Sequence, residues 1–182
     1  MIARNWKWIA GTVVVAAVVH VASLLALPRL LMLRTMTAIT RSASANTIIY
    51  PPQPTARARG VVRPCPDPLY SIGVYDLNTA NRAVGVSTHD LPNGYWSVSV
   101  FDADTDNFYA FYALSDRQAK TGAADFLLVA QRASAAAIGL PVITAPTSRG
   151  IVLFRTLIDD ERRLGEIDGA RRHADCTPYR SS

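Results

Sequence analysis

One uninterrupted apolar segment near the start of the chain limits what the protein can fold into more than any other feature. Ile9 to Leu27 is a run of 19 residues without Asp, Glu, Lys or Arg. As a helix rising about 1.5 Å per residue, it would reach about 28 Å, close to the thickness of a bilayer's hydrocarbon core. Trp6 and Trp8 before it and Arg29 after it are typical of membrane interfaces. The segment therefore predicts one N-terminal transmembrane helix in contact with lipid.

A cleavable signal peptide is the alternative interpretation of this segment. The small residues at 43–45 that could form a cleavage site lie far downstream of Leu27, so we expect an uncleaved anchor. His20, the one ionisable residue inside the segment, is interpreted as structural because no second polar residue shares its helix face. The basic residues on the two flanks are nearly balanced and do not select an orientation. A short first tail and two cysteines favour a domain outside the cytoplasm.

The basic excess of the chain belongs to this anchor. The net charge is +5 at pH 7, yet all 14 acidic residues lie after Gly60, together with only 12 of the 19 basic ones. The part from Gly60 onward therefore has a net charge of −2. We expect no nucleic-acid binding, because that function normally needs a basic patch on the folded domain. The cations before Gly60 are placed to meet lipid phosphates.

The segment between the anchor and Gly60 has two parts. Leu30, Leu33 and Met36 at helical spacing predict a short helix, which either lies along the membrane interface or packs against the domain. The proline-rich stretch 50–60 predicts an extended tether. The chain is thus divided into a tail with anchor, a juxtamembrane helix with tether, and a β domain, with the boundaries 1–28, 29–59 and 60–182.

Hydrophobic periodicity changes from helical to alternating beyond Gly60. Aromatic and β-branched residues there predict short strands without helices between them. The strand-like segments are Leu69 to Leu77, Ala83 to Thr88, Tyr95 to Phe101, Asn107 to Leu114, Phe126 to Ala130 and Gly150 to Ile158. Acids at one end and bases at the other predict a closing helix over 159–173. Its face toward the sheet is predicted to carry Leu164, Ile167 and Ala170. The predicted fold is mostly β, a single antiparallel sandwich or barrel with a C-terminal helix.

An acidic string after the third predicted strand is the first polar feature of interest. Asp102, Asp104 and Asp106 begin like a calcium-binding loop. Asn107 then stands where the turn glycine belongs, and position twelve lacks the required glutamate. A hairpin turn closed by hydrogen bonds from Asp side chains is therefore preferred over a cation site.

Arg155 is the second polar feature, because strand alternation places it on one face with apolar residues. A guanidinium there needs a carboxylate or carbonyl partner, and Asp67, Asp76 or Asp102 is expected to supply it as a buried pair. The alternative is an arginine that lines an anion-binding cavity.

The two cysteines, Cys65 and Cys176, flank the domain and predict either a disulfide that holds the C-terminus or two free thiols. A zinc site made of these cysteines with His89 and His173 lacks local ligand spacing and is not expected. No metal or other cofactor is predicted. The sequence contains no G-x-S-x-G, H-E-x-x-H, P-loop or dinucleotide-binding motif.

Three blocks of the domain together resemble a known bacterial family. They are Pro66-Asp67-Pro68-Leu69-Tyr70-Ser71 with Tyr75-Asp76-Leu77, then Gly94-Tyr95-Trp96-Ser97-Val98 with Asp102 and Asn107-Phe108, and last Ala145-Pro146-Thr147 with Phe154-Arg155-Thr156-Leu157. In this order they are similar to DUF1254, a family of unknown function, from about Val61 to the C-terminus. Cys65 and Pro68 depart from the family's usual Asn and Thr, so no role is transferred to those two positions.

The resemblance implies a β-sandwich and a short anchored form that lacks a DUF1214 domain. It therefore also implies a separate membrane-anchored partner of DUF1214 type. Together with the predicted anchor, the resemblance leads us to expect the domain on the periplasmic side of a bacterial inner membrane. We expect a non-catalytic envelope module that this partner completes; the alternatives are a hydrolase-like enzyme with a polar cavity and a purely structural envelope protein. The candidate ligand-binding residues are Asp67, Tyr70, Asp76, Asp102, Asn107 and Arg155.

Overall fold

The N-terminal apolar segment is part of a much longer helix than the sequence predicts. The computed structural model describes residues 2–55, 65–80, 82–91, 94–112, 122–130 and 139–179. Helix α1 is continuous over Ile2–Ser42 and carries Pro28 inside it. A proline removes one backbone hydrogen bond but does not have to end a helix that other contacts support. The predicted juxtamembrane helix is therefore the last part of α1. By length and composition α1 is able to cross a membrane, a property that it shares with signal sequences.

The strands of the described residues form two sheets. They are β1 Ile48–Ile49, β2 Pro68–Asp76, β3 Ala83–Thr88, β4 Trp96–Phe101, β5 Asn107–Tyr112, β6 Ala124–Ala130, β7 Val142–Ala145, β8 Arg149–Leu157 and β9 Asp175–Pro178. The first sheet has the order β1-β2-β8-β4-β5, and the second has the order β7-β6-β3-β9. Pairing is antiparallel throughout except between β6 and β7, which are parallel.

Alternating periodicity located six of these strands, and their predicted positions are confirmed by β2, β3, β4, β5, β6 and β8. The last two residues of the predicted strand that ends at Leu114 lie outside the described residues. The sequence did not predict β1, β7 or β9. Because β7 pairs in parallel with β6, the sandwich is mixed rather than purely antiparallel.

The core lies between the inner faces of the two sheets. Trp96, Val98 and Val100 of β4 are at most 1% exposed and point toward the second sheet. Val86 and Phe126 meet them from that side. The opposite face of the first sheet, which turns away from the second sheet, is called the outer face here. Strand alternation places the residues between the core positions, such as Ser97 and Ser99, on the outer face.

The last turns of α1 pack on one end of this outer face. Met32, Met36 and Ile39 are less than 9% exposed and form an apolar cluster with Val74 of β2 and Ile151 of β8. Of the two arrangements that the sequence left open for this segment, packing against the domain is therefore the one observed. The helix and the sandwich are in direct contact without a flexible connection between them.

An ion pair adds a second contact between α1 and the sandwich. Arg29 donates to both carboxylate oxygens of Asp104 in the β4–β5 turn, with 3.1 Å between Nη2 and Oδ2. This pairing holds the pKa of the Asp104 carboxyl below its usual range. Arg29 is exposed and Asp104 is only half-buried, so the pair orients α1 more than it stabilises it.

The chain after α1 is also docked on the domain rather than extended away from it. Asn46 receives the Asp76 N–H at 2.7 Å and donates to the Asp76 carbonyl at 3.1 Å. Ile48 of β1 rests on Gly73, where any Cβ would come within 2.7 Å of the Ile48 side chain. Tyr50 donates to the carbonyl of Ala174 at 2.7 Å. The predicted tether therefore begins as a packed segment, and its part from 56 to 60 lies outside the described residues.

The closing helix is shorter than predicted and is held by a buried arginine. A 3₁₀ turn at Glu161–Arg163 leads into helix α2, Leu164–Arg171. Ile167 is buried, whereas Leu164 and Ala170 are only partly covered.

Arg171 is 2% exposed and donates to the Tyr70 carbonyl and to Asp168. Burial opposes ionisation of Asp168, but hydrogen bonds from Arg171 and Arg172 hold its pKa below the usual range. This pair, rather than one at Arg155, is the buried ion pair of the domain's described residues.

Replacement of Met36 by alanine tests the contact between α1 and the sandwich. Met36 is 4% exposed, so Met36→Ala should lower the free energy of unfolding by about 2 kcal/mol, at the low end for a buried methionine. Leu33→Ala is the matched control, because Leu33 is 51% exposed on the same helix. Denaturant unfolding of the detergent-solubilised chain, followed by near-ultraviolet circular dichroism, measures both. Equal effects of the two substitutions would contradict the observed packing.

Candidate functional site

A row of polar side chains crosses the outer face at the end away from the α1 contact. Tyr70 of β2 lies opposite Arg155 of β8, which lies opposite Ser97 of β4, and Ser97 in turn lies opposite Tyr112 of β5. Because directly paired residues share a face, all four project on the outer face. We call this set the Arg155 row. It lies four residues along β8 from Ile151, or about 13 Å from the α1 contact.

Arg155 at the centre of the row is half-buried and lacks the acidic partner that the sequence led us to expect. Its Nη2 is 3.5 Å from the Ser99 hydroxyl. Within the described parts of the chain it forms no ion pair. Asp76 instead pairs with Arg149 at 3.1 Å, and Asp102 is engaged with backbone N–H groups. The prediction of a buried Arg155–carboxylate pair is therefore wrong, because strand register brings Asp76 opposite Arg149 and away from Arg155.

The chain leading into β2 adds polar groups beside the row. The Tyr70 hydroxyl donates to the Cys65 carbonyl at 3.4 Å. Burial, with a smaller contribution from the nearby Cys65, raises the pKa of Tyr70, and Arg155 partly offsets this rise. Tyr70 is therefore a protonated hydrogen-bond donor at neutral pH. The Cys65 thiol lies 3.5 Å from the Asp67 carboxylate, which brings Asp67 to the same end of β2.

One hydroxyl in the row is conspicuous because it has no hydrogen-bond partner. Ser97 is 2% exposed, and its Oγ finds no partner among the described residues. A buried hydroxyl without a partner loses its hydrogen bond to water and gains none in return. Arg155 and Ser97 thus provide adjacent donors with unused capacity on one face.

The other three candidate residues occupy the opposite end of the sheet. Asp102 Oδ1 accepts the N–H groups of Asp104 and Asp106 at 2.8 and 2.9 Å. This arrangement confirms the predicted turn closed by an Asp side chain. Asn107 follows this turn, and with its amide nitrogen facing two carbonyls it donates to Val100 at 3.2 Å and to Tyr109 at 2.8 Å. Both side chains are thus used to shape the β4–β5 hairpin.

The six candidates therefore form two separate groups. Asp67, Tyr70 and Arg155 lie at one end of the first sheet, and Asp76, Asp102 and Asn107 lie at the other. Five residues of β4 separate the position opposite Arg155 from Asp102, which corresponds to about 16 Å. The single polar cavity expected for a hydrolase-like site is not assembled from these side chains. Ser97 and Ser99, which were not among the candidates predicted from the sequence, join the first group because β4 pairs with β8.

The two cysteines are free thiols at different depths. Cys65 is exposed, whereas Cys176 is fully buried in β9 between the two sheets. Burial, with a smaller contribution from the charge of Asp175, raises the pKa of the Cys176 thiol to about 12. Of the two alternatives left open by the sequence, free thiols are the one observed.

The order of these residues along a two-sheet domain agrees with the family pattern. A family model described as "Protein of unknown function (DUF1254)" matches residues 45–178. The chain belongs to the DUF1254 family. The match begins at the segment that carries β1 and ends with β9, so it coincides with the packed sandwich. A comparison with curated proteins gives no match.

Two solved structures are similar to this DUF1254 domain. A crystal structure from Vibrio parahaemolyticus has a TM-score of 0.58 at 16% identity, over 80% of this chain and 34% of that chain. A crystal structure from Burkholderia cenocepacia has a TM-score of 0.49 at 14% identity, over 75% of this chain and 35% of that chain. The Vibrio structure supports the fold. The chain spans about a third of the length of both proteins.

Thiol labelling tests the environments of the two cysteines. In the native chain a maleimide should modify Cys65 within minutes and leave Cys176 unmodified, because Cys176 has no exposed surface. In denaturant both thiols should react. Mass spectrometry of the labelled chain counts the modified sites, and Cys65→Ser serves as the control that should remain unlabelled when native. Two labels on the native wild-type chain, or none, would contradict the structure.

Proposed function

We propose that the protein is a membrane-anchored, non-catalytic module of the bacterial cell envelope that a separate DUF1214-type protein completes. In this proposal the residues 9–27 of α1 contact lipid, and the sandwich binds the partner through the Arg155 row. The proposal joins two features of the chain, an apolar helix able to cross a membrane and a sandwich whose outer face carries a half-buried arginine.

The observation that carries this proposal is the half-buried Arg155 without an acidic partner among the described residues. A guanidinium that is partly removed from water is stabilised by a carboxylate or phosphate that accepts two parallel hydrogen bonds. The Ser97 hydroxyl opposite it is buried and has no hydrogen-bond partner among the described residues, so Arg155 is the member of this pair that a partner can reach. An acidic side chain of a partner would satisfy the Arg155 guanidinium.

The surroundings of the row have the composition of a protein interface. Tyr112 and Leu157, on the same outer face, are 44% and 37% exposed, and Tyr95 next to this end of β4 is 37% exposed. Tyrosine and arginine are enriched in protein interfaces and often contribute most of the binding energy. A small anion would engage Arg155 alone, whereas a protein would also cover these three side chains.

The size of the relatives supports a partner that carries additional structure. The chain matches 34% of the Vibrio protein. In that protein, a domain of this fold is therefore part of a chain that contains a much larger remainder. We infer that this additional part comes here from the separate DUF1214-type chain. Among the described residues, no nucleophile and base pair of hydrolase type is assembled at the Arg155 row, which favours binding over catalysis.

The orientation in the membrane is part of the same proposal. The sandwich is placed on the periplasmic side of a bacterial inner membrane, with α1 entering from the cytoplasm. Cys65 provides a native reporter because its thiol is exposed. A membrane-impermeant maleimide added to intact spheroplasts should label Cys65, and the Cys65→Ser chain should stay unlabelled. Labelling that requires lysis of the spheroplasts would reverse the orientation.

Co-purification with Arg155 variants tests the partner and its binding surface together. The tagged full chain, expressed at its native level and extracted in mild detergent, should bring down a DUF1214-type protein in near-equal amount. Arg155→Glu should reduce the recovered partner at least about tenfold, because a carboxylate would then face the partner's acid. Mass spectrometry of the eluate measures the ratio.

Arg162→Glu is the matched charge reversal for this experiment. The Arg162 side chain is 90% exposed, lies on the 3₁₀ turn before α2 and is not one of the four residues of the Arg155 row. It should leave the recovered partner unchanged, and circular dichroism should show that both variants retain the wild-type β content. Recovery of the wild-type chain alone would refute the proposed partner. Equal recovery with Arg155→Glu and wild type would refute the proposed surface.

A further inference from the structure

Two histidines and one aspartate meet on the surface at the junction between β3 and the last strand. His89 and Asp90 follow β3, and His173 lies in the turn between α2 and β9. One ligand atom from each of the three residues lies within 4.8 Å of the other two. A zinc site of both histidines with the two cysteines was not expected from the sequence, and Cys176 lies in the core. Asp90 is a third candidate ligand that the sequence pattern did not indicate.

We propose that His89, Asp90 and His173 bind a divalent transition-metal ion of the Zn²⁺ type. Two imidazole nitrogens and one carboxylate oxygen are ligands that Zn²⁺ accepts, with water or an added group in the fourth position. The mixed nitrogen and oxygen set disfavours Ca²⁺ and Mg²⁺, which prefer oxygen ligands alone.

The present distances between the three side chains are slightly longer than those between the ligand atoms of a tetrahedral zinc ion. Asp90 Oδ2 is 3.8 Å from His89 Nε2 and 4.0 Å from His173 Nδ1. Ligand atoms of a tetrahedral zinc ion with bonds of about 2.0 to 2.1 Å are about 3.3 Å apart. Each of these two separations therefore has to shrink by less than about 1 Å. Such a shift is within the reach of exposed side chains.

The imidazole rings themselves need one adjustment. They are stacked, with centroids 4.6 Å apart and planes within 1° of parallel. Metals bind in the plane of an imidazole ring, so one ring must rotate for both nitrogens to face a common point. His89 and His173 are exposed and have space for that rotation. The coordination bond would replace the present 3.3 Å contact of His173 Nδ1 with the His89 carbonyl.

The backbones that carry these side chains are fixed by the core on both sides. Leu91 follows Asp90 and is 8% exposed, and Ala174 follows His173 and is 2% exposed. Both belong to the apolar cluster between the sheets. Asp90 also adopts a positive φ of 55°, which aspartate tolerates better than most residues. The backbone of the ligand residues is thus held in place by the core. This limits the conformational entropy that these residues lose when a metal binds.

Zinc binding by the full chain in detergent tests this site. The chain carries an affinity tag without histidine, is stripped with chelator, equilibrated with ZnCl₂ and desalted, and its zinc content is measured by mass spectrometry. The expected result is about one zinc per chain. The same sample loaded with Co²⁺ should show the visible absorption bands of a tetrahedral nitrogen and oxygen site.

The variants separate this site from other ligands in the chain. His89→Ala and His173→Ala should each weaken zinc binding at least about tenfold, and Asp90→Asn should weaken it less while preserving the positive φ. His20→Ala and Cys65→Ser are the controls, since they remove the remaining histidine and the exposed thiol. Both controls should keep the wild-type affinity.

Three results would overturn the proposal. They are a wild-type chain without bound zinc, zinc retained at wild-type affinity in both His89→Ala and His173→Ala, and zinc lost in either control. All three proposed ligands are surface residues, so the variants should keep the wild-type circular dichroism spectrum. The outcome is independent of the proposed partner, because Arg155 is intact in every variant.

Discussion

The packing of Met32, Met36 and Ile39 on Val74 and Ile151 determines how the rest of this protein is arranged. It joins an apolar helix that is able to cross a membrane to the sandwich through a continuous helix, without an intervening flexible segment. It also covers one end of the outer face, and the Arg155 row lies at the other end. The buried contact therefore decides both where the domain is held relative to α1 and which part of the first sheet the helix covers.

This contact explains why the outer face is apolar at one end and polar at the other. The pairs along β2 and β8 run from Val74 opposite Ile151 to Tyr70 opposite Arg155. Helix α1 packs on the first pair, and the neighbouring Ile72 packs against the same cluster, so the apolar side chains of this end are buried there. Had the tether been free at Ser42, the first pair would be exposed as well, and the domain would have a larger apolar patch than a soluble surface tolerates.

Periodicity was sufficient to predict the fold where strands are long and one face is buried. In β4 the alternation of Trp96, Val98 and Val100 with serines identified the strand and its core face correctly. The two residues of β1 are too few for any periodicity, and β9 contains a proline that is rare inside strands. The parallel pairing of β7 with β6 depends on the path of the chain between the two strands, which local sequence periodicity does not predict.

The same limit applies to the site. Alternation correctly placed Arg155 on a face, but the partner of a strand residue depends on register between strands that are far apart in sequence. Asp76 is opposite Arg149 because β2 and β8 pair in one register and not another. Asp168 and Arg171 are three residues apart on one helix, so their pairing was visible in the sequence, but the burial of Arg171 against the Tyr70 carbonyl was not. The meeting of His89 with His173, 84 residues apart, required the pairing of β3 with β9.

Helix α2 brings the Arg155 row and the histidine cluster into one part of the structure. Arg171 binds the backbone of Tyr70, which is directly opposite Arg155, and His173 follows Arg171 by two residues. A metal at His173 would hold the end of α2, and the end of α2 holds the first part of β2. Coupling between the two surfaces would have to pass through this short path, and any effect of metal on partner binding must equal the effect of partner on metal binding. The two surfaces use different side chains, however, so substitutions can disable either one while the other stays intact. Comparing the single and combined substitutions then measures the coupling energy.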